Sequence, residues 1–217
     1  EIIVVYDCQL TNLKSFKSDI TVTYSTSGIS HTRIGKLSAI VAKNIARNGN
    51  FESDSDNNGI PDRWAVHANG GDVAPNLDNS VSHSGKASIH FNSPTAGGAG
   101  SFIAMSPFGA SIMSPVQQGQ ALKLSVWAKG NNIVTGAFGW HRLTILGRFY
   151  DSSLVQLPCP PSCVDLGTIP TGTFNWGRYE QIFVVPAGAA YLSFTGAGII
   201  DTGTGEAWLD EFRIDVT

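Results

Sequence analysis

Residues 47–64, RNGNFESDSDNNGIPDRW, carry the densest set of oxygen ligands in the chain: Asp54, Asp56, Asn58 and Asp62, with Gly59 beside Asn58. Side-chain oxygens at alternate positions converge on one hard cation when a glycine lets the chain bend. The carbonyl of Ile60 is placed to add a further ligand, so the stretch reads as a calcium loop. The full EF-hand pattern is not met, because no Glu holds the expected last position and no flanking helix is evident. Asp, Asn and Gly also build turns for purely local reasons. The stretch is therefore either a cation loop or a hydrogen-bonded turn.

Other reactive residues are few. Cys159 and Cys163 bracket Pro160-Pro161-Ser162, a spacing that closes a small disulfide loop and leaves Cys8 free or paired with another chain. Two cysteines are too few ligands for structural zinc. A disulfide implies an oxidising, extracellular or secreted setting. A GxSxG elbow, an HExxH helix and a phosphate-cradling loop are all missing from the sequence. Glycosidases need two carboxylates about 5 to 9 Å apart, whereas the acidic residues here gather in the 54–62 loop and the closing strand. The expectation is a protein that is not an enzyme.

The chain has 217 residues, 14% of them charged, and 24 are glycine. That composition suits short strands joined by turns. A net charge of −3 argues against nucleic acid or an anionic membrane as partner. No apolar run approaches the ~20 residues of a membrane span. The sequence lacks a leading Met and a signal peptide, so it reads as a processed form or an excised piece. Residues 1–47 read as a β-rich N-terminal arm. Residues 2–6 and 19–24 are expected strands, 25–30 a turn, and 33–43 a further strand. Residues 48–217 read as a train of short strands, with expected members at 86–92, 121–129, 137–150, 178–185, 190–196 and 206–216. The fold class is all-β: a sandwich of two antiparallel sheets.

The order of the pieces from about residue 46 onward resembles the jelly-roll carbohydrate-binding modules of families four, nine, sixteen and twenty-two. The matching residues are Asn48-Gly49-Asn50-Phe51-Glu52, Gly59-Ile60-Pro61-Asp62-Arg63-Trp64 and Ser84-Gly85-Lys86-Ala87-Ser88. They continue with Gly119, Leu124 to Lys129, Phe149-Tyr150-Asp151, Trp176 with Tyr179, Val185-Pro186-Ala187-Gly188, Gly205, and Trp208-Leu209-Asp210-Glu211-Phe212. The resemblance implies a structural calcium shared by Glu52 and Asp210, with carbonyls near residues 84–86 completing the site. The 47-residue arm has no counterpart in the minimal module.

Glycans are held by aromatic faces beside planar polar groups. The expected sugar-binding residues are Trp64, which is equally placed to be a core lid, Trp127, Trp140, Arg142 and Tyr150. Along 137–150, Trp140, Arg142, Arg148 and Tyr150 share one strand parity, and Leu143, Ile145 and Phe149 share the other. Leu146 breaks the alternation, which a bulge at Gly147 would explain. Trp127 alternates outward with Lys123 and Ser125. Trp208 is expected in the core, and Trp176 as a packing residue at a strand start. Two functions follow. The first is a non-catalytic, calcium-stabilised module binding a polysaccharide or other glycan. The second is a structural subunit of an extracellular filament, virion or phage tail, assembling through strands within residues 1–24.

Overall fold

The computed structural model describes residues 16–26, 29–39, 46, 48–68, 74–94, 103–106, 114–136, 143–199 and 203–217. Trp140, Arg142 and Cys8, with the expected strand at 2–6, lie outside them. The chain divides into two compact units, Glu1–Lys43 and Asn44–Thr217. In the first, β1 (Phe16–Thr26) and β2 (Ile29–Ala39) form an antiparallel hairpin, with Thr26 opposite Ile29. The expected turn at 25–30 is thus mostly strand. Residues 33–39 take the extended form that Ile34 and the neighbouring Gly35 favour over helix.

The second unit is all-β, and no helix occurs among the described residues. Its strands are β3 (Ala65–Ala68), β4 (Asn76–Asp78), β5 (Ser88–Ser93), β6 (Ile103–Ser106) and β7 (Ser114–Pro115). They continue as β8 (Ala121–Val134), β9 (Leu143–Tyr150), β10 (Cys163–Asp165), β11 (Gly172–Val184), β12 (Tyr191–Ile199) and β13 (Thr204–Val216). One sheet has the order β11-β8-β13-β5-β4 and another β10-β9-β12-β7; β3 pairs with β6. Every pairing is antiparallel.

The alternation of each strand turns one row of side chains inward. Leu122, Leu124 and Val126 of β8 share one buried cluster with Ile89 and Phe91 of β5 and Phe212 and Ile214 of β13. Leu143, Ile145 and Phe149 of β9 and Leu192 of β12 join the same cluster. That is the core of a sandwich, and each such side chain contributes about 1.5–3 kcal/mol by leaving water. The interruption expected at Gly147 sits instead on β12, where register slips between Phe194 and Gly196 opposite Gly147 and Leu146. The β9 alternation is therefore unbroken, and Leu146 simply lies on the outward row.

The opening and closing segments of the unit interlock. Phe212 N–H donates to the Gly49 carbonyl at 2.7 Å. A Cβ on Gly49 would lie 1.9 Å from the Phe212 oxygen, so only glycine allows this approach. A register shift between Asp210 and Arg213, with Glu211 at φ 52°, is the bulge that presents Phe212 to Gly49.

Candidate functional site

Three groups of expected site residues are described, at three places in the fold. The first is the 54–62 loop. One oxygen from each of Asp54, Asp56 and Asp62 lies within 4.8 Å of the others. The loop also satisfies its own backbone. Asp54 accepts from Asn58 N–H at 3.2 Å and Gly59 N–H at 3.0 Å, and Asn58 Oδ1 accepts from Ile60 N–H at 2.7 Å. Asp56 accepts from the Asn58 side-chain amide at 2.9 Å. Asp62 accepts from Ser53 Oγ and from Ser55 N–H at 3.1 Å and Oγ at 3.0 Å, and these bonds, Ser53's foremost, hold its carboxyl below the usual range. Asn48 ties the ends by donating to the carbonyls of Ser53 and Asp62. The turn bonds gather the three carboxylates into one cluster.

The second place is the clasp between Glu52, Asp210 and the segment 83–87. Asp210 is fully buried and accepts from His83 N–H at 2.9 Å, Ser84 N–H at 3.0 Å and Glu211 N–H at 2.7 Å. Glu52 accepts from Lys86 N–H at 2.8 Å and Ala87 N–H at 3.1 Å. Both expected metal ligands therefore grip the same segment, from opposite ends of the sequence. The groups that bond to them are amide N–H donors. As arranged, the residues form a hydrogen-bonded clasp between the opening and closing segments. Gly85 sits here at φ 61°, a left-handed conformation that favours glycine. Burial pushes the Asp210 carboxyl up, against the pull of the three N–H groups.

The clasp also decides the fate of Trp127. Its parity is outward as expected, with Leu122, Leu124 and Val126 fully buried on the other row. However, the 83–87 segment lays the His83 ring flat on the indole, with centroids 3.7 Å apart and planes at 14°, and Trp176 meets His83 edge-on. One face of Trp127 is thereby stacked, and the residue is half-buried. For Trp64, open between core lid and sugar platform, the core position is the one observed. It is 8% exposed, packs edge-on against Phe51 and Phe212, and donates Nε1–H to the Asn48 carbonyl at 3.0 Å. It is a core residue, because the turn at Asn48 gives its one polar atom an acceptor inside. Trp208 departs from its expected core position. It lies on the outward row of β13 between His90, stacked at 4.8 Å, and Lys129, with Nζ 5.2 Å from the ring. Its Nε1–H donates to Asp78 at 2.8 Å. Burial raises the Asp78 pKa, but hydrogen bonds from Ser80, Trp208 and Val81 outweigh it and hold it at about 2.

The third place is the outward row of β9 and β12. Leu143, Ile145 and Phe149 point in, while Arg148 and Tyr150 are half-buried on the other side. Tyr150 stands directly opposite Tyr191, and Arg148 opposite Ser193. Tyr191 was missing from the sequence-based set, although the Tyr191-Leu192-Ser193 alternation marks it. Trp127 and Tyr150 sit on outward rows of opposite sheets, so they do not share one platform. Cys159 and Cys163 form a disulfide with Cα atoms 5.3 Å apart, and Cys163 pairs with Arg148 at the edge of this sheet.

No protein-family model matches the chain, and no curated protein matches it. Among solved structures it is similar to the enzymatically active domain of tailspike protein 4 of bacteriophage CBA120, at TM-score 0.54 and 19% identity. That match covers 80% of this chain and 21% of the other, so the chain spans about a fifth of the tailspike domain's length. It is also similar to the CBM22-1 xylan-binding domain of Paenibacillus barcinonensis Xyn10C, at TM-score 0.42 and 15% identity, covering 73% of this chain and 88% of that one. A third is TmCBM61, solved in complex with β-1,4-galactotriose, at TM-score 0.44 and 13% identity, covering 81% and 100%. At these identities the likeness is one of fold. The fold is an all-β jelly-roll sandwich, structurally similar to carbohydrate-binding modules of families four, sixteen and twenty-two.

Proposed function

We propose that the protein is a non-catalytic glycan-binding module whose sugar platform is the outward face of β9 and β12. The observation that carries this is the Tyr150–Tyr191 pair with Arg148 and Ser193 in the next rank of the same face. Phenol rings from two cross-strand positions offer apolar area to the C–H faces of a sugar, and a guanidinium in the next rank offers paired donors to hydroxyls. Trp140 and Arg142, outside the described residues, share sequence parity with Arg148 and Tyr150. Asp54, Asp56 and Asp62, with Asn58 and the Ile60 carbonyl, hold a calcium ion that stiffens the loop. The convergence of the three carboxylates supports that assignment. The Cys159–Cys163 disulfide supports an extracellular setting.

Screening the protein against immobilised xylans, galactans and bacterial surface polysaccharides tests the reading. Retention by at least one of them, lost in Tyr150→Ala, is expected; no retention by any would overturn it.

A second reading, a self-assembling structural subunit, is favoured by one observation. Among the described residues the β1–β2 hairpin is a two-stranded sheet in a compact unit of its own, and two strands by themselves are marginal in water. Such a hairpin gains stability by pairing with a neighbouring chain within residues 1–24. Light scattering tests this: a large assembly supports it, and a small, fixed mass overturns it.

A further inference from the structure

Antiparallel sheets expose rows of unpaired N–H and C=O groups at their edges, and proteins usually keep such edges short or interrupted. The edge strands of the two main sheets differ sharply in this respect. β4 and β10 have 3 residues each, and β7 has 2, one of them Pro115. β11 has 13 residues. Its pairing with β8 is irregular before Gly177 and then runs without interruption from Gly177–Ala128 to Val184–Ala121. Among the described residues nothing pairs with its other side. Its outward row runs Arg178, Glu180, Ile182, Val184, and the last two are each 62% exposed. A long, regular edge ending in two bare β-branched side chains lacks the usual protection.

We propose that β11 is a self-association edge, pairing antiparallel with β11 of a second copy around a twofold axis at Tyr179. An isologous contact must be complementary to itself, and the sequence admits few registers. An axis at Glu180 sets Glu180 against its own copy. An axis at Gln181 sets the charges of Arg178 and Glu180 against Val184 and Ile182. The axis at Tyr179 places Arg178 opposite Glu180 twice and Tyr179 opposite Tyr179 where both strands are regular, with Ile182 just beyond that stretch. Opposite charges and paired aromatics are combinations that stabilise cross-strand ranks. Within one chain Arg178 already lies 3.2 Å from Glu180, and Lys123 3.4 Å from it. The second copy extends this charged rank across the new seam. The partner is the protein itself, and the contact leaves the β9–β12 face free.

The test is the mass of the full chain in solution by sedimentation equilibrium, up to about 1 mM protein, the weak end of the affinity range. The wild type is expected to reach twice the monomer mass. Arg178→Glu and Glu180→Arg set like charges across the seam and are each expected to weaken association at least tenfold. The double variant, Arg178→Glu with Glu180→Arg, is expected to restore it. These side chains are exposed, so circular dichroism should show unchanged folding. Ile182→Lys is a further disruptive change that leaves the charged rank alone. A wild type that stays monomeric overturns the proposal. A dimer unaffected by Ile182→Lys places the contact elsewhere, as with the hairpin reading, and also overturns it. Failure of the double variant to recover rejects the Tyr179 register.

Discussion

Asp210→Ala removes the acceptor of three amide N–H groups, those of His83, Ser84 and Glu211. A buried donor left without a partner costs about 1–3 kcal/mol. All three residues are half-buried, so water reaches part of the space and the lower figure applies, giving about 3 kcal/mol. The loss is offset in part because the variant no longer buries a carboxylate. A net destabilisation of about 2–3 kcal/mol is expected, measured as a shift in urea midpoint at constant slope. The pH dependence has a definite sign. Burial raises the folded-state pKa of Asp210 above 3.8. The folded state therefore takes up the proton first. This contribution favours folding fully below pH 3.8 and is lost as the pH rises through the folded value. The clasp account adds a further demand. With Asp56→Ala in place to empty the 54–62 loop, chelator should leave the melting temperature unchanged. A fall on chelation in that background would put an ion between Glu52 and Asp210 and refute the hydrogen-bonded clasp.

Other perturbations separate the remaining roles. Trp64→Ala should destabilise by about 3–5 kcal/mol, as for a buried aromatic; an unchanged urea midpoint would return Trp64 to the surface. Asp56→Ala should release one equivalent of calcium in equilibrium dialysis with the fold intact, and equal binding by variant and wild type would leave the loop as a turn. Asp78, held at about 2, stabilises the fold above its ordinary value of 3.8 and ceases to do so as the pH falls through 2. At its upper limit that contribution is about 2 kcal/mol. Asp78→Asn should therefore flatten acid unfolding between about pH 4 and 2, and an unaltered acid limb would show that the Trp208 and Ser80 bonds are not the cause.

Much of the sandwich was legible because its strands alternate cleanly. In β8 and β9 the apolar rows named from sequence are the rows that are buried. Strand ends were less legible. β8 runs to Val134 and β11 begins at Gly172, beyond the alternating cores, because backbone pairing continues where the side-chain pattern has faded. β4 and β10 have 3 residues each, too few for any periodicity to register. Parity assigns a side chain to a row but does not reveal what covers that row. Trp127 is outward yet lies under His83, which the clasp brings from a distant loop. Trp208 looked apolar by its neighbours, but Asp78 and His90 give it an outward resting place. Trp64 precedes β3, where no alternation applies, and its burial depends on the Asn48 turn. Tyr191 was readable from alternation but becomes a site residue only through its register with Tyr150.

The central claim is that glycan binds on the β9–β12 face and not around Trp127. Isothermal titration with the polysaccharide retained in the screen, run on the wild type, Tyr150→Ala with Tyr191→Ala, and Trp127→Ala, tests it most directly. The account predicts that the tyrosine pair variant loses at least a hundredfold in affinity, about 2.7 kcal/mol, with its melting temperature little changed. Trp127→Ala should bind as the wild type does. Undiminished affinity in the tyrosine pair variant, or loss of affinity in Trp127→Ala alone, would contradict the account.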